Sequence, residues 1–239
     1  MIYNPYAGKG IDLKQRIEEK LFTANIAYDL FETEAQYGPF RVALDLDLDN
    51  YKAIVAVGGD GTLNEVVNGM LARGDQKTLP LAFVPNGSEN DLTASLGIHS
   101  VEGSLDNLIK GEAISIDTTR VLLDRDSESG LSNDESRLAS CRHMISNSSL
   151  SMPARIASSA NSWKGCCGRA SFSISTYLKA FSGNFMCDRF DVEVDGTRVA
   201  DETLQTGLFM VNNGKYASGG MVSNPFACVN DGLIDVTWI

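Results

Sequence analysis

The sequence predicts an α/β domain built on a mostly parallel sheet, followed by a domain of antiparallel strands. Three observations carry that expectation. From residue 2 to about 117, short apolar runs alternate with segments of helical periodicity. Three of the apolar runs end in glycine- or asparagine-rich loops that lead into helices. Beyond that point come β-rich runs at Val121-Leu122-Leu123, Phe190 to Val194, Leu208 to Val211 and Leu233 to Trp238, with turn signals at Asp195-Gly196, Asn213-Gly214 and Asp231-Gly232. The expected division is therefore residues 1–117 and 118–239.

Ile2-Tyr3 reads as a first strand, stopped by Asn4-Pro5 and followed by a loop through Gly8, Lys9 and Gly10. Leu13, Ile17 and Leu21 then recur at helical spacing. A second strand is expected from Ile26 to Phe31, and Glu32-Thr33-Glu34 sits at its carboxyl end, where open α/β sheets place ligand groups. Phe40 to Leu48 reads as a helix whose Asp45 and Asp47, with Asp49 just beyond, scatter around its circumference as a solvated face. After the run Ala53 to Val57 comes a helix from Leu63 to Leu71, then a strand from Pro80 to Val84. The loop Pro85 to Asp91 opens a helix that ends at Gly97, and Val101 to Lys110 makes another, closed by Gly111. Ala113 to Ile116 is expected to begin a strand. Asp124 to Ser140, rich in Ser, Asp and Glu, reads as a mobile loop joining two strands.

Composition narrows the function. The 239 residues are 43% hydrophobic and 21% charged, as in ordinary soluble domains, with no membrane-spanning run and no signal peptide, so a cytoplasmic protein is expected. A net charge of −11 argues against nucleic acid as a partner. Five cysteines without a Cys-x-x-Cys pair suggest reduced thiols, with Cys166-Cys167 read as packing filler. His99 and His143 are too few for a histidine metal site and read as surface residues.

The chemistry points to Val57-Gly58-Gly59-Asp60-Gly61-Thr62-Leu63-Asn64-Glu65-Val66-Val67-Asn68-Gly69. Gly58, Gly59 and Gly61 let main-chain N–H groups approach a ligand closely, and phosphate suits that cradle. Asp60 can hold Mg²⁺ or accept a proton from an attacking hydroxyl, with the Thr62 hydroxyl beside it. A helix beginning near Leu63 would aim its N-terminal amides at the same spot. The first loop lacks the Gly-x-x-x-x-Gly-Lys-Ser/Thr pattern of a Walker loop, and Lys9 reads by default as a solvated lysine.

Taken together, these loops resemble the catalytic domain of the diacylglycerol kinase and sphingosine kinase superfamily of lipid kinases. The resemblance rests on Asn4-Pro5 with Gly8-Lys9-Gly10, Gly58 to Gly69, Gly87-Ser88 with Asn90-Asp91, Gly219-Gly220, Pro225-Phe226-Ala227 and Asp231 to Val236, in that order. Gly-Gly-Asp-Gly-Thr alone also fits an NAD kinase, but its Asn-Glu-Val-Val-Asn-Gly continuation favours the lipid kinases. The resemblance implies ATP between an α/β domain and a β-sandwich, with in-line transfer of the γ-phosphoryl group to a lipid hydroxyl, aided by Mg²⁺. It implies that Asn4, Pro5, Tyr6 and Thr33 line the nucleotide site, that Gly58, Gly59 and Gly61 wrap the phosphates, and that Glu65 and Gly87-Ser88-Glu89 complete it. Asp60 falls on the family's catalytic aspartate, the general base.

Three departures bear on that expectation. Glu89 stands where the family usually has glycine, and Arg155 replaces an acidic residue within Ser151 to Ile156. Relatives continue past the position of Ile239 into further strands and an Asp-Gly-Glu, so the second domain is expected to be incomplete at its C-terminus. Two readings stay open: an active kinase of which this is a part, or a divergent chain with weak catalysis and a nucleotide-binding or regulatory role. For the substrate, Ser136 to Cys187 holds Arg137, Arg142, Arg155, Lys164, Arg169 and Lys179 but no Asp or Glu, with Met152, Trp163, Phe172 and Tyr177 interleaved. Either the basic residues balance acidic neighbours, or they face phosphates or an anionic bilayer, with peripheral membrane association. The absence of a local carboxylate for an ammonium group favours a neutral lipid such as diacylglycerol over a sphingoid base.

Overall fold

In the computed structural model, residues 1–8, 12–34, 37–122, 141–167, 174–176, 178, 187–199 and 203–239 are described, with Cys141 and 161–167 described by backbone alone. Lys9, Gly10, the 124–140 stretch, Arg137, Arg169, Phe172, Tyr177 and Lys179 lie outside the described residues, as do the side chains of Trp163, Lys164, Cys166 and Cys167.

The N-terminal half runs β1 (Ile2–Tyr3), α1 (Leu13–Thr23), β2 (Phe31–Glu32), α2 (Gly38–Asp45), a 3-10 turn (Leu48–Asn50), β3 (Ile54–Gly58), α3 (Asp60–Leu71), β4 (Leu81–Pro85), α4 (Asp91–Ser95) and α5 (Val101–Lys110). Its four strands are parallel in the order β2-β1-β3-β4. Alternation along each strand divides the core between the two faces of the sheet. Ile2, Ile54, Ala56 and Phe83 pack with Ala43 of α2 and Leu63, Val66, Val67 and Met70 of α3. Tyr3, Val55, Val57 and Val84 pack on the opposite face with Leu13, Ile17 and Leu21 of α1 and Leu105 of α5. Because β1 has β2 on one side and β3 on the other, the chain reverses its winding between β1 and β3. Crevices of open α/β sheets form at such a reversal, beyond the strand carboxyl ends.

The C-terminal half is antiparallel. β5 (Thr119–Leu122) pairs with β6 (Cys141–Met144), and β7 (Asn147–Ser151) leads directly into α6 (Met152–Cys167). β8 (Asp188–Phe190) pairs with β11 (Leu204–Thr206), and β9 (Glu193–Val194) with β10 (Thr197–Arg198). β12 (Leu208–Asn212) lies between β7 and β15 (Asp235–Trp238), and β13 (Tyr216–Ala217) forms a hairpin with β14 (Met221–Val222). Phe190 stacks on Phe209, ring centroids 5.1 Å apart, joining β8 to β12.

Several expectations are corrected. The second strand starts at Phe31 rather than Ile26, because the Ile26 N–H still closes the end of α1 on the Leu21 carbonyl. Ala113 to Ile116 forms no strand: Ile114 is exposed, and β5 begins only at Thr119, after Asp117 has bonded to the other half of the protein. Asn213-Gly214 makes no hairpin, since buried Asn213 donates instead to the Asp117 and Ile145 carbonyls at 2.9 and 3.0 Å. Helix α6 was not anticipated. Its signal was the buried pair Ile156 and Ala160 at helical spacing, with Pro153 in the first turn.

Candidate active site

Three loops meet where β1, β3 and β4 end. The Asn86 N–H donates to Gly58 O at 2.6 Å, the Asn86 carboxamide donates to the Ala7 carbonyl, and the Asn4 N–H donates to Val57 O at 3.0 Å. Gly59 and Gly87 lie back to back, so that a Cβ on Gly87 would stand 2.5 Å from Gly59 Cα. Glycine is needed here for close approach of two backbones, whatever ligand binds. Asn4 spends its side chain on the same knot: Nδ2 donates to Thr62 Oγ1 at 2.9 Å, and Oδ1 accepts the Tyr6 N–H at 3.0 Å. Thr62 is buried, while Pro5, Tyr6 and Ser88 are exposed at the rim.

Helix α3 starts at Asp60, earlier than the apolar periodicity indicated, because Asp60 and Gly61 carry no apolar side chain to mark the first turn. A carboxylate there is favoured by the helix dipole. Asp60 lines a cleft of about 350 Å³ between the two halves of the protein. One wall is Asp60, Gly61, Asn64, Glu89 and Asp91; the other includes Arg142, His143 and the polar run Ser146 to Ser148.

Asp91 is buried, and its Oδ1 accepts the N–H groups of Gly219 and Gly220 at 3.1 and 3.0 Å. Gly219 and Gly220 both have positive φ, a backbone shape that lets consecutive N–H groups converge on one anion. Burial pushes the Asp91 carboxyl above its ordinary value, and the nearby charge of Asp60 adds to this against the Gly220 and Gly219 N–H groups. Gly219-Gly220 thus serves as a contact between the two halves of the protein.

Thr33 and Glu65 lie together at the start of α2. Thr33 is buried against Gly38, and the Glu65 carboxyl lies towards the Tyr37 and Phe40 N–H groups. Burial raises the Glu65 carboxyl, while those N–H groups and Arg142 oppose the rise; its Oε2 is buried without a hydrogen-bond partner among the described residues. Glu65 accordingly faces α2, and it is Asn64 that faces the cleft. His143, expected on the surface, is half-buried in the cleft wall, where burial lowers its pKa. Arg142 belongs to the basic segment, but nothing local distinguishes it from the other members or marks His143, since only the fold of β6 carries them to α3. Arg155 pairs with Asp188 at 3.0 Å, so this member of the basic segment balances an acidic neighbour. His99 is exposed, as are Cys187 and Cys228. No helix among the described residues is long and apolar enough to cross a membrane.

A parallel sheet whose glycine loops meet beside a helix-borne aspartate, with an antiparallel β half across the cleft, defines a two-part α/β protein with a candidate site between the parts. The "Diacylglycerol kinase catalytic domain" family model matches residues 1–121, and that of the "YegS C-terminal NAD kinase beta sandwich-like domain" matches residues 148–239. The chain belongs to the diacylglycerol kinase catalytic domain family. It is 35% identical over 129 residues to sphingosine kinase 1 of Arabidopsis thaliana, covering 49% of this chain and 27% of that protein. It is 34% identical over 122 residues to a diacylglycerol kinase of Staphylococcus aureus strain JH9, covering 49% of this chain and 38% of that one. Both matches thus span well under half of the relatives' own length. The crystal structure of a diacylglycerol kinase from Bacillus anthracis strain Sterne superposes with a TM-score of 0.70 at 21% identity, covering 100% of this chain and 71% of that one. That likeness shows the fold.

Proposed function

We propose that the protein transfers the γ-phosphoryl group of ATP to the hydroxyl of a neutral, diacylglycerol-like lipid at a membrane surface. The observation that carries this reading is Asp60, on the first turn of α3 and in the cleft wall beside the three converging loops. The open space at Gly61, where a Cβ would meet nothing within 4 Å, leaves room for phosphate oxygens, and the α3 amides favour their charge. Asp60 receives the proton of the acceptor hydroxyl late in transfer, while the loops hold both reactants in line. Among the described residues no three His, Cys, Asp or Glu side chains gather as a metal-holding group. Asp60 is the carboxylate that would hold Mg²⁺, which when bound would neutralise phosphate charge.

Charge placement supports a neutral acceptor. Among the described residues lining the second-domain wall there is Arg142 but no carboxylate, so the carboxylates an ammonium could meet, Asp60 and Glu89, lie on the side of the cleft assigned to the nucleotide. On the opposite wall Asp91 is engaged by Gly219 and Gly220. The test is phosphoryl transfer on mixed vesicles offering diacylglycerol or sphingosine, comparing wild type with Asp60→Asn. Diacylglycerol is expected to be preferred, and Asp60→Asn to lose turnover by a factor on the order of 10² while ATP affinity stays within about tenfold. Preference for sphingosine, or a silent Asp60→Asn beside an inactive Asp91→Asn, would overturn the assignment. Glu89 favours a second reading, a nucleotide binder with weak catalysis, because it adds a carboxylate to the wall that would meet phosphates. ATP binding without measurable transfer would select it.

A further inference from the structure

Asn68, near the end of the long glycine-loop motif, does not face the loops. It is buried on α3, two turns from Asp60, with its carboxamide inserted into the backbone of β6. Nδ2 donates to the His143 carbonyl at 2.9 Å, and Oδ1 accepts the His143 N–H at 2.8 Å. Nδ2 also donates to Asn64 O at 2.8 Å on its own helix. One side chain therefore satisfies both backbone groups of one residue, as a neighbouring strand would, and fixes β6 against α3 in height and in register. Gly69, the next residue, is packed so closely on Phe40 O and Ala43 of α2 that a Cβ there would clash. Helix α3 is thus held from behind while Asn68 holds β6 in front.

What β6 carries into the cleft is Arg142, adjacent to the clamped residue. The cleft wall holds three carboxylates, Asp60, Glu89 and Asp91, and among the described residues lining it Arg142 is the lysine-or-arginine cation. His143 beside it is kept towards its neutral form by burial. A phosphate entering a space with that charge balance needs a positive group, and a guanidinium offers a planar fork of donors suited to phosphate oxygens. Lone carboxylates would repel it.

Resting on the kinase reading above, we propose that Arg142 binds the terminal phosphate of the nucleotide in this cleft and that Asn68 is the positioning residue that seats it, by clamping the backbone of His143. The role of Asn68 is thus to act through Arg142.

The test is calorimetric titration of the full chain with Mg-ATP and, separately, with adenosine, for wild type, Arg142→Ala, Asn68→Ala and the double variant. Arg142→Ala should weaken ATP by about tenfold to a hundredfold, as loss of a charge-assisted hydrogen bond does, and leave adenosine unchanged. Asn68→Ala should weaken ATP in the same selective way in the wild-type background, and have no further effect once Arg142 is alanine, because coupled residues are not additive. Equal weakening of ATP and adenosine, additive losses in the double variant, or an Arg142→Ala that binds ATP as wild type does would each overturn the inference. Should Asn68→Ala fail to fold, Asn68→Asp keeps the acceptor for the His143 N–H but loses the donor, and the same cycle applies to it. A wild type that binds neither ligand removes the kinase reading and this inference with it; a wild type that binds ATP with a silent Arg142→Ala removes the inference alone.

Discussion

Replacing Gly87 by alanine puts a methyl group 2.5 Å from Gly59 Cα and 2.8 Å from Asn90 Oδ1. Carbon atoms rest at about 3.5–4.0 Å, so the second and third loops must separate by roughly 1 Å. Neither loop is free to give. The Asn86 N–H is bonded to Gly58 O at 2.6 Å, and the Asn90 carboxamide closes a ring with Gly87, accepting its N–H and donating to its carbonyl, both at 3.0 Å. Overpacking of this kind costs about 1–3 kcal/mol. For a chain of this length that corresponds to a melting temperature lower by about 2–12 °C. Gly61 is the control, because a Cβ there meets nothing within 4 Å. It lies in the first turn of α3, where alanine in place of glycine is worth up to about 1 kcal/mol in favour of folding. Gly61→Ala should therefore melt no lower than wild type, and up to about 4 °C higher. Both variants should bind Mg-ATP more weakly, Gly87→Ala through displaced loops and Gly61→Ala through a methyl on the cleft wall. Thermal unfolding by circular dichroism and calorimetric titration read the two effects apart. A Gly87→Ala protein with wild-type melting would refute the packing argument, and a Gly61→Ala protein with wild-type ATP affinity would refute the close-approach argument.

Two further perturbations probe the charges. Burial raises the Asp91 carboxyl, so the native state holds that proton more tightly than the unfolded chain, and its ionisation erodes stability as pH rises above the ordinary carboxylate range. The advantage of Asp91→Asn over wild type should grow through that window and level off above the raised pKa; urea unfolding between about pH 3 and pH 8 would refute this if the difference stayed constant. Arg155→Ala removes an exposed ion pair with Asp188 and should cost no more than about 1 kcal/mol, with binding to anionic vesicles unchanged in sedimentation. A large loss of vesicle binding would return Arg155 to a membrane-facing role.

Local rules were enough to read the parallel sheet. Strands β1, β3 and β4 are short apolar runs, and the α1 stripe of Leu13, Ile17 and Leu21 is fully buried, because burial on a sheet face imposes a period that the sequence displays. Asp60 was legible for a similar reason, since a strand, glycines and a helix start are contiguous in the chain. What tertiary structure alone decided is what each polar side chain meets. Asn4 and Thr62 turn to each other, Glu65 turns to the first turn of α2, and Asp91 reaches Gly219 and Gly220 across more than a hundred residues. Helix α6 carries a weak apolar stripe, and the basic segment that contains Arg142 does not single it out from its other members, nor does anything local place His143 in the cleft wall. A buried apolar residue is recognised by its spacing along one element. A polar residue takes its role from a partner on another element, and only folding brings that partner within hydrogen-bonding distance.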